Sequence, residues 1–448
     1  MLTTTIVEEF SAAFAGSRAL YEKAQGVLPG GLSHDVRRAN PFPLYVGRAL
    51  GSHKWDVDGH ELICYQMGHG ALLLGNSHPA IVQAVAEAAG LGMHFGAENP
   101  LVIDWARQIV DMVPSAEVVR FTSSGTEASL LAMQLSRAYT GREKILKFAH
   151  HFHGWHDAAH VGVNVPAERP AAGGSRRTRE SVVLAPLNDI AFAERALAED
   201  ADIAAVILEP SGAGWGGVPL PAGTLERLRA ATARHGVLLI FDEVVTGFRW
   251  APGGVQEASG VTPDLTLLGK IVAGGMPGGA VAGQRRIMEL LEFRDDPAWN
   301  KVGHPGTHNA HPLSAAAGLA CLRLVADGAA QRRAAETARR LRVGFTQTLR
   351  RLGVPGVAYG DSSGFHLYFG EVPEQGDDVH DPGVDPLALK RGIPAEIATA
   401  LNCGMLLEGV HLFRGRGLLS TAHDDRDVEQ TLRAFETTLR RMQGERIL

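Results

Sequence analysis

Ala204-Ala205-Val206-Ile207-Leu208 runs through apolar residues without a polar break. A strand with one wet face alternates in polarity, whereas a strand buried on both faces does not. The run therefore predicts a strand in a sheet covered on both sides by helices. The same pattern repeats outward from it, with short apolar strands expected over 118–121, 145–148, 181–184, 203–208, 237–241 and 265–268. Longer amphipathic stretches between them read as helices over 126–139, 187–198 and 224–235. Alternating strand and helix is the signature of an α/β fold with a mainly parallel sheet. We place that large domain at residues 70–325.

The two ends of the chain read differently. Residues 7–25 predict a helix carrying Phe10, Phe14 and Tyr21, ended by Pro29-Gly30-Gly31. Residues 44–65 predict a hairpin region, with Trp55-Asp56-Val57-Asp58-Gly59 as its turn. Leu341, Phe345, Leu349 and Leu352 mark one late amphipathic helix. Val428, Leu432, Phe435 and Leu439 mark another, N-capped by Asp424 or Asp425. Residues 1–69 and 326–448 are expected to form one small α+β domain from both chain ends. Residues 164–180 read as a mobile loop.

The chain has 448 residues, a length that fits about two to three domains. With 45% hydrophobic and 21% charged residues, general disorder is excluded. The 43 Lys+Arg against 49 Asp+Glu leave a net charge of -6, which argues against nucleic acid as a partner. Cys64, Cys321 and Cys403 lie far apart and offer neither a disulfide framework nor a metal spacing, as in a reducing compartment. No apolar run approaches the ~20 residues that a membrane span needs. The opening MLTTTIVEEF, with Glu8 and Glu9, lacks the basic region of a secretory signal, so a cytoplasmic location is expected.

Three motifs sit after strands. Ser123-Ser124-Gly125-Thr126-Glu127 opens a helix whose free N–H groups and partial positive charge suit a phosphate. The same residues also fit a plain capping box, Ser124 to Glu127. Phe241-Asp242-Glu243-Val244 brings an acid pair out of a buried strand. A carboxylate there can hold a protonated heterocyclic nitrogen or a metal, or simply cap the next turn. Leu268-Gly269-Lys270-Ile271 places a lysine in a run without other charges from Thr266 to Gln284. Desolvation favours its neutral, nucleophilic amine.

Two patterns are set aside. Gly212-Ala213-Gly214-Trp215-Gly216-Gly217 matches a dinucleotide fingerprint, but Pro219 and Pro221 stand where its helix should begin. His150, His151, His153, His156 and His160 invite a zinc reading, yet no acid or cysteine stands at a standard spacing apart from Asp157, so we read a polar loop and no metal. The arginines around 332–351 read as a solvated helix face.

An anion-binding turn, a strand-end acid and a desolvated lysine, on three separate strands in that order, match the phosphate, ring nitrogen and aldehyde of pyridoxal 5′-phosphate. The chain resembles the class III aminotransferases of fold type I, in the branch that contains glutamate-1-semialdehyde aminomutase. The matching stretches include Pro29-Gly30-Gly31, Arg120-Phe121, Ser124-Gly125-Thr126-Glu127, His153-Gly154, Phe241-Asp242-Glu243-Val244, Thr246-Gly247-Phe248-Arg249 and Pro263-Asp264-Leu265 with Gly269-Lys270. The resemblance implies that Lys270 is the Schiff-base lysine and proton shuttle, that Asp242 pairs with the ring nitrogen and that Val244 lies under the ring. It assigns the phosphate to Ser124, Gly125 and Thr126, and to Thr307 from a partner subunit across a homodimer interface. Phe152 takes the place of a stacking tyrosine, and Arg37 matches an arginine that binds the substrate carboxylate.

Other positions depart from the aminomutase pattern. Gly214 stands for an asparagine near the cofactor's ring oxygen, His69 for a substrate-pocket tryptophan, and Gly415, between Arg414 and Arg416, for a glutamate. Gly68-His69-Gly70-Ala71-Leu72, His153-Gly154-Trp155-His156-Asp157, Ser363-Gly364-Phe365-His366-Leu367 and Leu407-Glu408-Gly409-Val410 resemble the D-phenylglycine aminotransferases. That resemblance implies amino transfer from an amino acid, aryl or bulky, D-configured or β-amino, to an oxo acid such as 2-oxoglutarate. Intramolecular amino transfer, as in the aminomutase, is the alternative; a non-catalytic cofactor-binding regulator is a distant one, lacking any basic DNA-binding segment here.

Overall fold

Seven strands build the central sheet of the computed structural model, which describes residues 4–448. In spatial order they are Val118–Thr122, Gly279–Gly283, Leu265–Gly269, Leu238–Glu243, Ile203–Leu208, Lys144–Phe148 and Val182–Ala185. The last five pair in parallel. All six strands expected from the sequence are there, with ends shifted by at most two residues.

The period-2 geometry of a strand explains the unbroken apolar run. Ala205 and Ile207 pack with Leu131, Leu135, Ile240 and Leu267 on one face. Val206 joins Phe148, Leu228, Leu239 and Phe241 on the other. Both faces are dry, so neither tolerates a polar side chain.

Gly279–Gly283 was not expected, because glycine is a poor strand residue. It runs antiparallel to both neighbours. Its composition follows from its surroundings: a Cβ at Gly279 would stand 2.6 Å from the Ser124 carbonyl oxygen, and one at Gly283 would stand 2.7 Å from that of Asp264. Only a strand bare at both ends fits there.

The expected helix over 7–25 is two helices, Thr5–Ala13 and Ala15–Ala24, broken at Phe14. The Asp58 carboxylate accepts the amides of Gly16 at 2.7 Å and Ser17 at 3.1 Å, capping the second helix from the turn of the hairpin region. The loop expected over 164–180 ends in a short helix, Arg176–Glu180, N-capped by Ser175. Asp424 N-caps the helix Asp425–Gly444 in a capping box closed by Asp427.

The strands Val46–Leu50, His53–Asp56 and Glu61–Cys64 form an antiparallel meander. Its last strand pairs in parallel with Val410–His411 from the far end of the chain. A second small sheet joins Gly356–Tyr359, Gly364–Phe369 and Arg416–Leu418. No single helix among the described residues is long and apolar enough to cross a membrane.

Arg249 ties these parts together. It is fully buried and donates to the Gly70 carbonyl at 2.9 Å, the Ser363 hydroxyl at 2.9 Å and the Leu419 carbonyl at 2.8 Å. Burial pulls its pKa down to about 10. Arg249→Met is expected to strand three buried acceptors and lower stability by about 3 kcal/mol. A denaturant midpoint equal to that of the wild type would contradict this.

Candidate active site

The carboxyl ends of the parallel strands meet in one place, where open α/β sheets hold their ligands. Ser124 N-caps the helix Gly125–Thr140, its hydroxyl accepting the Glu127 amide at 3.2 Å. The Glu127 carboxylate turns back to the Ser123 amide at 2.6 Å rather than to that of Ser124. The capping box is thus displaced by one residue, and the first amides of the helix, at Gly125 and Thr126, are left for an outside acceptor. A Cβ at Gly125 would stand 2.8 Å from Val244, and one at Gly269 would stand 2.9 Å from it. Val244 therefore wedges between the start of the helix and the strand end, Gly269, that leads into Lys270.

The acid pair splits by strand period. Asp242 is buried, accepts the Val244 amide at 3.1 Å and meets Nδ1 of His153 at 2.7 Å. Glu243 faces the other way. Its carboxylate accepts the Thr246 hydroxyl at 2.8 Å, the Val255 amide at 2.7 Å and the Gln256 side chain at 3.1 Å. Glu243 is a structural acid; Asp242 faces the site.

Lys270 has a left-handed backbone, φ 51°. For a residue with a Cβ that conformation costs about 1–3 kcal/mol and tends to cluster at functional sites. Its side chain packs beside Gly70, where a Cβ would stand 3.6 Å from Lys270 Cδ. Burial pushes its pKa down, while the charges of Asp242 and Glu209 oppose the shift. No hydrogen bond among the described residues holds its amine.

The histidine segment corrects the reading of a polar loop. His151 and His153 are fully or almost fully buried, and no group of His, Cys, Asp or Glu among the described residues could hold a metal. Nδ1 of His151 accepts the Glu209 amide at 3.0 Å, and the Glu209 carboxylate accepts the amides of Phe152 at 3.0 Å, Gly214 at 3.0 Å and Trp215 at 2.9 Å. Lys147, wholly buried, donates to the carbonyls of His151, Ala159 and Val161. Glu209 and Lys147 thus shape the loop that carries Phe152 and His153. The sequence reading missed both, although a charge inside or just after an apolar strand was the signal. Phe152 itself is 53% exposed.

Arg37 and His69 come together around a cavity of about 390 Å³ that Lys54, Gln66, Phe413 and Arg414 also line. Arg37 is exposed and bonds Ser33 at 2.9 Å. His69 stacks on His34 and meets Phe413 edge-on at 5.3 Å. Burial, with Arg37, Lys270 and Lys54 nearby, pulls its pKa down to about 4, so it is neutral at neutral pH. Thr307 is exposed; its carbonyl accepts from His94 at 2.6 Å, and Asn309 beside it accepts from the Ser123 hydroxyl at 3.3 Å. Gly214 has φ 63°, and a Cβ there would stand 3.5 Å from the Arg416 guanidinium.

The donor set fits pyridoxal 5′-phosphate. Free helix amides and two hydroxyls suit its phosphate, a buried carboxylate suits its protonated nitrogen, and an unengaged amine suits its aldehyde. The bare Cα atoms of Gly125 and Gly269 leave Val244 room to support a flat ring.

Comparison with known proteins agrees. The family model "Aminotransferase class-III" matches residues 35–355. The glutamate-1-semialdehyde 2,1-aminomutase of Methanopyrus kandleri is 39% identical over 439 residues, spanning 96% of this chain and 99% of that protein. A transaminase solved with PLP bound superposes with a TM-score of 0.86 at 32% identity, over 97% of this chain and 99% of that one. The β-phenylalanine aminotransferase of Variovorax paradoxus superposes with a TM-score of 0.84 at 31% identity, over 98% and 97%. By its fold, its site and these likenesses, the chain belongs to the class III aminotransferases, fold type I enzymes that use pyridoxal 5′-phosphate.

Proposed function

We propose that this protein transfers an amino group between molecules, from an amino acid to an oxo acid such as 2-oxoglutarate. The donor is aryl or otherwise bulky, D-configured or a β-amino acid. One observation carries the reading. Arg416, half-buried, lies over Trp215 and Phe413 with both ring centroids 5.2 Å away, beside Gly214, and no carboxylate pairs with it among the described residues. Glutamate-1-semialdehyde has a single carboxylate, which Arg37 could serve. A second cation without a partner calls for a second carboxylate, as a dicarboxylate acceptor has. The wall of neutral His69 and Phe413 suits a flat apolar side chain on the donor.

The cofactor, when bound, supplies an electron sink for the charge left as the substrate's α-proton departs. The chain supplies the rest. Lys270 Nζ takes the proton from the substrate's Cα and later releases it, and its lowered pKa keeps part of the amine free to do so. Asp242 holds a negative charge facing the ring nitrogen, with His153 fixing its orientation. Ser124, Gly125 and Thr126 hold the phosphate, with Thr307 reaching across from a partner subunit in a homodimer. Phe152 and Val244 cover the ring, and Arg37 orients the donor's carboxylate. The three buried cysteines, all free, fit a cytoplasmic enzyme.

The aminomutase reading draws on the identity to the Methanopyrus kandleri protein. A screen with both enantiomers of aryl and aliphatic amino acids, β-amino acids and glutamate-1-semialdehyde separates the two. Repeated turnover only with 2-oxoglutarate present supports amino transfer between molecules. Repeated turnover of the semialdehyde with no added oxo acid would overturn it. Arg416→Gln is expected to raise KM for 2-oxoglutarate about tenfold or more while leaving KM for pyruvate, a monocarboxylate, nearly unchanged. Equal effects on both acceptors would remove Arg416 from this role.

A further inference from the structure

Arg38, Lys390, Arg391, Arg414 and Arg416 line a second cavity, of about 460 Å³, which adjoins the Arg37 cavity through Arg38 and Arg414 and whose lining includes no Asp or Glu. The whole chain carries a net charge of -6, so acids are plentiful, yet none is placed here. The hydrogen bonds of these cations go to the main chain instead. Lys390 donates to the His150 carbonyl at 2.8 Å, and Arg414 to the carbonyls of Val36 and Arg38 at 3.3 Å. The acid that acts on Lys390 and Arg416 is Glu209, whose oxygens are already taken by three backbone amides.

The cations press on one another. Besides burial, Arg38 lowers the pKa of Arg414, Arg414 that of Arg416, and Arg416 that of Lys390. Tyr359, His366 and Thr399 on the walls are neutral and engaged, while Asn40 and Asn402 add neutral amides to the lining. Tyr359 and His366 stack at 5.3 Å, the Tyr359 hydroxyl donates to the Gly217 carbonyl at 2.6 Å, and burial keeps His366 neutral. Arg38 and Arg391 stand exposed at the mouth, while Lys390 and Arg416 lie half-buried within. A cavity with a neutral wall and mutually repelling cations that no carboxylate pairs is relieved by an anion.

We propose that this cavity binds a compact polyanion, with at least two anionic groups, and that its occupant excludes the dicarboxylate acceptor because both use Arg416. The binding stands by itself; the competition rests on the acceptor proposed above. The chemistry is shared by phosphorylated and polycarboxylate compounds, so pyrophosphate and citrate serve as the two probes.

Calorimetry on the holoenzyme at low ionic strength is expected to show one probe bound per chain, with affinity falling as salt is added. The tighter of the two probes identifies the class. The double variant Lys390→Gln/Arg391→Ala, at two residues that do not line the Arg37 cavity, is expected to bind about tenfold or more weakly, with kcat unchanged. Absorbance of the bound cofactor should not change during the titration, which separates this site from the cofactor's phosphate site. Inhibition should be competitive against 2-oxoglutarate. Binding of neither probe, equal binding by the double variant, or loss of cofactor during titration would each overturn the site. Non-competitive inhibition would overturn the sharing of Arg416 alone. The calorimetry keeps its meaning even if 2-oxoglutarate proves not to be the acceptor.

Discussion

Lys270→Ala is expected to fold, keep the phosphate contacts and lose turnover by about 10²–10⁴-fold, the range of a positioned acid–base group. The residue sits where strand Leu265–Gly269 ends, on a left-handed backbone that the surrounding core enforces. No other lysine shares that position: Lys54, Lys147 and Lys390 are held elsewhere, by Gln66 and by main-chain carbonyls. Steady-state turnover with the best donor measures the effect, and cofactor content after gel filtration shows that the site persists. A variant that transaminates at near the wild-type rate would refute the assignment of Lys270.

Asp242→Asn should slow the chemical step by about 10²–10³-fold, the usual cost of removing one preorganised electrostatic partner. The substitution keeps the shape and the bond to the Val244 amide, but it removes the charge that His153 orients. Exchange of the donor's α-hydrogen with deuterated solvent reports the step without product release. Unchanged exchange would take the electrostatic role away from Asp242. Glu243→Gln offers the contrast. Its carboxylate is spent on Thr246, Val255 and Gln256, so the loss should appear in stability first.

Much of this was legible in the residues because burial writes itself into pattern. The strand over 203–208 announced a two-faced sheet, and Asp242 and Lys270 stood at the ends of such strands. Pairings distant in sequence were not legible. His153 and Asp242 lie 89 positions apart and look like unrelated members of a histidine run and an acid pair. The pairing of Val410 with Ile63 joins the two ends of the chain, which local periodicity cannot indicate. The strand Gly279–Gly283 was hidden because steric exclusion, rather than hydrophobic patterning, chose its residues. The break at Phe14 was hidden for a similar reason, since the carboxylate that caps the second helix comes from Asp58.

That glycine-bounded strand also sets a schedule for biosynthesis. Val118–Thr122 lies at the rim of the sheet, with Gly279–Gly283 as its one neighbour. In a nascent chain leaving the ribosome, that rim strand has no partner on either edge until Gly283 has emerged. Prematurely terminated products that stop short of it would present a sticky strand to other polypeptides and become natural clients for chaperones and proteases.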